Sequence, residues 1–228
     1  MSKTQGYFQT RFTPDPKREV LWQTLYHYYF SRFIGKADCV LELGAGYGHF
    51  INHVEAERKI ALDQWEGFTG YLRPGIEGRV GDVADLSFLA PSSVNFVFAS
   101  NLFEHISQES FSSVLHQLER VLVDGGTLNI VQPNYYYSYR EYFDDYTHRS
   151  IYTHRSICDF LEAHGYRIIE CCPRFLPLTV KSRMPVSPWL IRLYLSSPWK
   201  PLAKQMFVRA RPANARVSQN GWAKRGEV

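Results

Sequence analysis

The sequence has 228 residues, 15% of them aromatic, and a formal net charge of +4; this length suits one domain with a sizeable buried core. No run of about 18 uncharged apolar residues, no basic-then-apolar leader and no C-x-x-C pair occurs. We therefore expect a cytoplasmic chain without a membrane-spanning helix, a disulfide framework or a zinc framework.

The apolar periodicity predicts alternating helices and strands along the chain. The predicted helices span residues 19–34, 49–57, 111–123 and 153–164, and the predicted strands span residues 38–43, 59–63, 94–100, 127–131, 166–172 and 205–210. Residues 80–86 are interpreted as a strand end that turns into a short helix. Alternating βα units predict an α/β fold, a doubly wound Rossmann-like sheet with helices on both faces.

The same pattern divides the chain into three parts. Residues 1–35 form a loose arm and an aromatic helix, residues 36–212 form the α/β domain, and residues 213–228 form a polar tail that we expect to be disordered. Within the domain, residues 133–150 are a tyrosine-rich loop after the fifth strand. Residues 174–201 are a basic, aromatic insertion before the last strand.

The first predicted strand runs into a loop with glycine at every second position: Glu42, then Gly44, Gly46 and Gly48. Glycine adopts positive φ readily and exposes backbone N–H groups to a ligand. A dinucleotide-binding turn needs G-x-G-x-x-G, but His49 stands where its third glycine would be. The pattern E-x-G-x-G-x-G instead resembles motif I of the class I S-adenosylmethionine-dependent methyltransferases. This resemblance implies a seven-stranded sheet with an antiparallel last strand, and S-adenosyl-L-methionine as the cofactor.

Polar residues end the first four predicted strands, and ligands of open α/β sheets bind outside the carboxyl ends of the strands. Asp63 lies 19 residues after Gly44, close to the spacing of an acid that binds a ribose diol. The resemblance implies that Glu42 orients the methionine end of the cofactor, that Asp63 binds the ribose and that Asp82 receives the adenine; Asp82 could instead cap a helix. The expected cofactor-binding residues are Glu42, Gly44, Ala45, Gly46, Gly48, Asp63, Gln64, Asp82, Val83, Ser100 and Asn101.

Two stretches are candidates for activating the methyl acceptor, since methyl transfer to a neutral hydroxyl needs a general base. The stretch Asn101-Leu102-Phe103-Glu104-His105 resembles the N-x-x-E-H segment of methyltransferases acting on quinones and other small molecules. The stretch Asp144-Asp145-Tyr146-Thr147-His148 resembles methyltransferases of surface-polysaccharide biosynthesis. His148 is the preferred base, with Asp145 as its orienting partner, and His105 is the alternative.

The acceptor class follows from the tyrosines of the 133–150 loop. Aromatic faces with hydroxyl tips suit a sugar ring or another polar cyclic molecule, so we expect O-methylation of a sugar, a glycolipid or a related polar acceptor. A quinone-like or other small-molecule substrate, and a non-catalytic cofactor-binding partner protein, remain alternatives. Nucleic acid is not expected, because no Asn-Pro-Pro-Tyr-type segment follows the fourth strand. A metal site formed by Asp144, Asp145 and His148 is conceivable, but the metal positions of catechol-type enzymes are not matched, and we expect no metal.

The charge is uneven along the chain: residues 171–226 contain 11 Lys and Arg and no acid. This indicates an anionic partner or a solvated basic tail. Within the 174–201 insertion, Pro188 precedes an apolar run and predicts a short amphipathic helix. We interpret the insertion first as a lid or a homodimer interface, and second as a peripheral contact with the inner membrane face.

Overall fold

The computed structural model describes residues 15–178 and 187–213, and the strands in these ranges form one seven-stranded sheet. The strands are β1 (Cys39–Leu43), β2 (Arg58–Asp63), β3 (Glu77–Val80), β4 (Val94–Ser100), β5 (Leu122–Pro133), β6 (Tyr166–Pro177) and β7 (Ala203–Pro212). Their order across the sheet is β3-β2-β1-β4-β5-β7-β6. Strands β1 to β5 pair in parallel, and β7 runs antiparallel between β5 and β6. The predicted Rossmann-like fold with an antiparallel last strand is therefore confirmed.

The helices lie on both faces of the sheet. They are α1 (Pro16–Tyr28), α2 (Gln108–Val121), α3 (Tyr135–Ser138), α4 (His154–Ala163) and α5 (Pro188–Ser196). Short 3-10 turns occur at Phe30–Phe33, Ile51–His53, Glu66–Tyr71 and Tyr142–Asp144. Helix α1 starts three residues earlier than predicted, because Asp15 caps its first turn and proline occupies its first position. None of the helices in the described ranges is long and apolar enough to cross a bilayer.

Alternating strand residues divide the core between the two faces of the sheet. On one face, Leu41 and Val97 belong to the cluster that buries α2 and α4. On the other face, Val40 and Phe98 belong to the cluster that buries α1. Both faces of the parallel strands are therefore covered, which leaves the strand ends as the place for a ligand.

The helix predicted over residues 49–57 is wrong, because only the 3-10 turn Ile51–His53 forms there. Side chains take the backbone donors that a helix would use: Ile51 N–H donates to the Glu42 carboxylate, and Glu55 N–H donates to the Tyr26 hydroxyl. The glycine loop is thus held by specific side chains rather than by the start of an α-helix.

Several sequence predictions fall outside the described residues. They concern residues 1–14, which belong to the predicted N-terminal arm, and the tail from residue 214 onward. Residues 179–186 of the basic insertion also lie outside the described ranges. The helix predicted after Pro188 is present as α5, with Ser187 as its N-cap.

Candidate functional site

The carboxyl ends of the central strands meet at one edge of the sheet. Leu43 of β1 pairs with Leu62 of β2 and with Ala99 of β4, so the residues that follow these positions lie side by side. Asp63 pairs with Val80 at the end of β3. The register therefore brings together the four strand ends that the sequence selected.

The glycine loop follows β1 and curls over the end of β2. Gly44, Gly46 and Gly48 all have φ between +53° and +67°, a region that other residues rarely adopt. The Gly44 and Ala45 N–H groups both donate to the Leu62 carbonyl. A Cβ at Gly44 would lie 3.0 Å from the Leu102 side chain. The sequence thus needs glycine here both for backbone conformation and for space.

Two buried acids hold this loop. Asp63 accepts hydrogen bonds from Gly46 N–H and Trp65 N–H, both at 2.8 Å, and Glu42 accepts from Ile51 N–H at 3.0 Å. Burial raises the pKa of Glu42 well above its ordinary value, against the lowering effect of the Ile51 hydrogen bond. Burial also raises the pKa of Asp63, partly offset by its backbone hydrogen bonds. Each Asp63 oxygen has a second lone pair, so the carboxylate can still accept from a ligand hydroxyl.

The third predicted acid is placed differently. Asp82 is exposed and accepts from Ala84 N–H at 2.8 Å, so it caps the turn after β3. The Val83 side chain is buried in the core, and Gln64 is exposed beside Asp63. Asp82 therefore caps a turn, where the sequence offered a helix cap as the alternative to its adenine role; the adenine role stays a prediction.

The end of β4 supplies two further predicted residues. Asn101 has φ +50° and donates from its amide to the Ser100 hydroxyl at 3.1 Å. The side-chain oxygen of Asn101, Oδ1, accepts a hydrogen bond from the Gln205 side-chain amide on β7 at 3.3 Å. Sequence analysis missed Gln205, because nothing in the pattern of β7 indicates that its first residues reach the end of β4.

Helix α1 is fastened to the glycine loop by Glu19. The Glu19 carboxylate lies 3.4 Å from His49 Nδ1, 3.0 Å from His53 Nε2 and 2.9 Å from the Arg73 guanidinium. Burial lowers the pKa of both histidines. Since His49 follows Gly48 directly, this contact links the helix to the loop that the resemblance assigns to the cofactor.

The two stretches that each contain a candidate general base, residues 101–105 and 144–148, lie together in one site. The Glu104 carbonyl accepts from the Arg149 and Ser150 N–H groups at 2.7 and 3.1 Å, and the Ser150 hydroxyl donates to the Ile106 carbonyl. These bonds join the loop after β4 to the end of the tyrosine-rich loop. As a result, the rings of His105 and His148 lie 4.8 Å apart between their centroids.

A hydrogen-bonded chain leads from Asp145 to His105. The Thr147 N–H and hydroxyl both donate to Asp145 Oδ1, at 3.0 and 2.6 Å. Because the Thr147 hydroxyl donates to Asp145, it accepts from His105 Nδ1 at 2.9 Å. Burial would raise the pKa of Asp145, but the Thr147 hydrogen bonds outweigh it and the pKa is lowered. The chain therefore places the lone pair of neutral His105 on Nε2.

A hydrogen bond also fixes the tautomer of neutral His148, with the proton on Nδ1. Its Nδ1 lies 2.6 Å from the Tyr142 carbonyl oxygen, which can only accept, so Nδ1 carries the proton. The Tyr142 ring is buried against His148, and its hydroxyl donates to the Ser150 carbonyl. Both histidines thus offer Nε2 as the basic nitrogen.

The Glu104 side chain is fully buried beneath the two histidines. Neither of its carboxylate oxygens has a hydrogen-bond partner among the described residues, and Oε1 lies 4.0 Å from His105 Nε2. Burial raises the pKa of Glu104 to about 8. Burial, together with the charge of His148, lowers the pKa of His105 to about 4. Near neutral pH the site therefore contains a protonated carboxyl group and a neutral imidazole.

The same side chains form a candidate metal-binding group that differs from the one weighed on the sequence. Glu104, His105 and His148 each place one ligand atom within 4.8 Å of the others. Binding a cation at neutral pH would require Glu104 to lose the proton that burial retains. The expected absence of a metal stays a prediction.

Several exposed aromatic rings belong to the same loop as His148. In the tyrosine-rich loop Tyr136, Tyr139, Phe143 and Tyr146 are each more than half exposed. The loop starts at Asn134, a fully buried residue whose side chain bonds to His154 and to the Pro173 carbonyl. A loop that is held at its first residue and exposes several rings can bind a planar or cyclic molecule.

Thr147 is a further residue that sequence analysis did not single out. Its signal was present in the Asp-x-Thr spacing, because an aspartate commonly caps the N–H two residues later in a turn. What the sequence did not reveal is that the same threonine reaches His105, which lies 42 residues earlier.

A family model described as a methyltransferase domain matches residues 15–171. No curated protein matches.

Solved structures share the fold at low sequence identity. A SAM-dependent methyltransferase from Archaeoglobus fulgidus is 19% identical with a TM-score of 0.65, over 92% of this chain and 99% of that one. A second, from Mesorhizobium loti, is 14% identical with a TM-score of 0.58, over 82% and 97% of the two chains. A third, from Clostridium acetobutylicum, is 11% identical with a TM-score of 0.59, over 92% and 97%.

Proposed function

Because the chain belongs to the methyltransferase-domain family, we propose that it transfers the methyl group of S-adenosyl-L-methionine to an oxygen atom of a polar, sugar-like acceptor. The observation that carries this proposal is the convergence of His105 and His148 at the carboxyl edge of the sheet, 4.8 Å apart. The glycine loop lies at the same edge, at the end of β1.

The residues at the glycine loop fit the cofactor. S-adenosyl-L-methionine carries a sulfonium, an ammonium and a carboxylate but no phosphate, and it supplies an activated methyl group. Asp63 would accept from the ribose hydroxyls, Asp82 from the adenine amino group, and Glu42 would orient the methionine end. The positive-φ glycines expose the backbone on which the cofactor would lie.

His105 takes the role of general base. Its Nε2 would accept the proton of the acceptor hydroxyl as the hydroxyl oxygen takes the methyl group that S-adenosyl-L-methionine would supply from its sulfonium. The imidazolium that results is stabilised through Thr147 by the negative charge of Asp145. The sequence favoured His148 for this role; the hydrogen-bonded chain from Asp145 favours His105, and the adjacent His148 Nε2 positions the hydroxyl.

The acceptor class rests on the tyrosine-rich loop, to which His148 also belongs. The exposed rings of Tyr136, Tyr139 and Tyr146 offer apolar faces with hydroxyl tips, the combination that binds a sugar ring. Arg174 lies over the Tyr137 ring at 4.5 Å and adds a positive charge for an anionic group. These features support a glycan or glycolipid acceptor, as made by surface-polysaccharide pathways.

Calorimetric titration with S-adenosyl-L-methionine, S-adenosylhomocysteine and NAD tests the cofactor assignment. We expect micromolar binding of the first two ligands and none of NAD. Binding of NAD alone would refute the proposed activity.

Turnover assays test the base. Release of S-adenosylhomocysteine in the presence of sugar, sugar-phosphate, glycolipid and quinone acceptors identifies the substrate class. His105→Ala should lower kcat about 100-fold or more, the usual contribution of a general base, with unchanged cofactor affinity. His116→Ala, at an exposed position on α2, is the matched control. Greater loss in His148→Ala would move the base to His148, and turnover with quinones alone would contradict the sugar-like acceptor.

A further inference from the structure

Helix α5 and the turn after it expose large apolar side chains that no part of the described core covers. Trp189 and Leu193 are 69% and 55% exposed, and Trp199 and Leu202 are each 75% exposed. Trp189 and Leu193 are four residues apart, so they share one face of α5. We call these four residues together with Arg192 and Lys200 the Trp189–Trp199 patch.

The patch is rigidly built. Lys200 Nζ donates to the Tyr194 and Leu195 carbonyls at 2.7 and 2.8 Å, which closes the end of α5. The Ser197 hydroxyl donates to the Trp199 carbonyl and accepts from the Trp199 N–H. Trp199 is therefore held outward by an ordered turn. Such an arrangement avoids the cost of ordering an exposed tryptophan when it binds.

The opposite face of α5 packs on the protein. Leu195 contacts the core cluster beneath α1, and the Arg192 guanidinium lies 5.0 Å from the Tyr28 ring on α1. The helix thus has one face on the domain and one face toward solvent, with a cation at their boundary. This is the geometry of a helix that lies in a membrane interface.

Charge favours an anionic occupant. Residues 171–226 contain 11 basic residues and no acidic residue. A symmetric dimer through this patch would bring Arg192 and Lys200 of both copies into one interface, because a two-fold interface uses the same surface on each copy. A bilayer with anionic headgroups instead complements the cations, and tryptophan is the residue that membrane interfaces favour.

The patch lies next to the edge of the sheet that carries His105 and His148. The turn ends where β7 begins, and Gln205 of β7 pairs with Pro133 at the carboxyl end of β5. The neighbouring Lys204 Nζ lies 2.5 Å from Glu141 of the tyrosine-rich loop. The patch and the His105–His148 site therefore share one edge of the sheet.

We infer that the Trp189–Trp199 patch binds the surface of an anionic phospholipid bilayer and holds the catalytic edge next to it. The apolar side chains enter the headgroup region, and Arg192 meets the lipid phosphates. A polar acceptor carried on a lipid would then be presented to the site directly from the membrane.

Vesicle co-sedimentation of the full chain tests this inference without requiring turnover, so its outcome is independent of the proposed methyl transfer. Vesicles contain either phosphatidylcholine alone or phosphatidylcholine mixed with phosphatidylglycerol. We expect binding to the mixed vesicles, weakened by added salt, and at least tenfold weaker binding to phosphatidylcholine alone. Equal binding to both, or to neither, overturns the inference.

Matched variants separate the patch from the rest of the surface. Trp189→Ser combined with Trp199→Ser should lower the partition coefficient at least tenfold, whereas Phe88→Ser, at a partly exposed residue outside the patch, should leave it unchanged. Arg192→Gln should lower it about fivefold, the effect of one basic residue near an anionic surface. Far-ultraviolet circular dichroism confirms folding of each variant. Unchanged vesicle binding by the double variant, or dimers that dissociate on Trp199→Ser without any lipid binding, would assign the patch to another role.

Discussion

The buried Glu104 carboxyl group allows a quantitative prediction on stability. The residue is fully buried, neither carboxylate oxygen has a hydrogen-bond partner within the described ranges, and burial raises its pKa from 4.5 to about 8. A carboxyl group with a raised pKa keeps its proton in the folded state at a pH where the unfolded chain releases it. Its contribution to stability is therefore complete below pH 4.5 and is lost as the pH rises toward about 8.

The expected magnitude follows from this shift. Within the window each pH unit lowers the free energy of unfolding by about 1.4 kcal/mol. Between roughly pH 5 and pH 7.5 the wild-type protein should lose about 3 kcal/mol through this one group. Glu104→Gln has nearly the same shape and does not ionise, so the variant should not show this loss.

Urea unfolding of both proteins at several pH values measures the effect. The difference between the two free energies isolates Glu104, because other buried acids such as Glu42 titrate in both proteins. We expect the difference to change by about 3 kcal/mol in favour of the variant between roughly pH 5 and pH 7.5. Two parallel pH profiles would show that Glu104 ionises normally and would refute the account of its environment.

Three further predictions concern the site. The kcat/KM of the wild type should stay constant down to about pH 5 and fall at lower pH. The reason is that burial lowers the pKa of His105 to about 4, so its imidazole is neutral above that value. An inflection at the ordinary histidine pKa of 6.5 would contradict this. Thr147→Val should lower kcat about tenfold or more with little change in KM, and Thr147→Ser, which keeps the hydroxyl, should restore it; equal activity of the two variants would exclude a role for the hydrogen-bonded chain. Glu19→Gln should weaken S-adenosyl-L-methionine binding about two- to fivefold by calorimetry, since a half-exposed ionic contact contributes up to about 1 kcal/mol, and unchanged affinity would mean that α1 does not stabilise the glycine loop.

The sequence predicted the fold well because local signals agreed with the tertiary structure. Apolar runs marked the buried parallel strands, and the alternation of helices and strands gave the sheet. The alternate glycines from Gly44 to Gly48 predicted a tight loop, and all three have positive φ. One failure was the helix over residues 49–57, where buried side chains compete for the backbone donors of Ile51 and Glu55. Another was the short helix expected within residues 80–86, where only a turn capped by Asp82 forms.

The candidate site was predicted only as separate parts. His105 and His148 each carried a local motif, but their proximity depends on hydrogen bonds between loops more than 40 residues apart in sequence. Sequence periodicity holds no information on such contacts. The same applies to Gln205, whose contact with Asn101 exists because β7 inserts beside β5.

The strand order has a consequence for synthesis of the chain. Strand β7 is the last strand in chain order, yet it lies between β5 and β6. Until residue 212 has left the ribosome, the nascent chain therefore carries an uncovered edge on β5 and a β6 segment that has no place in the sheet. Exposed strand edges recruit other chains, so production of the folded protein should depend on chaperones that shield this edge. Truncation before residue 203 should yield aggregates rather than a smaller folded enzyme.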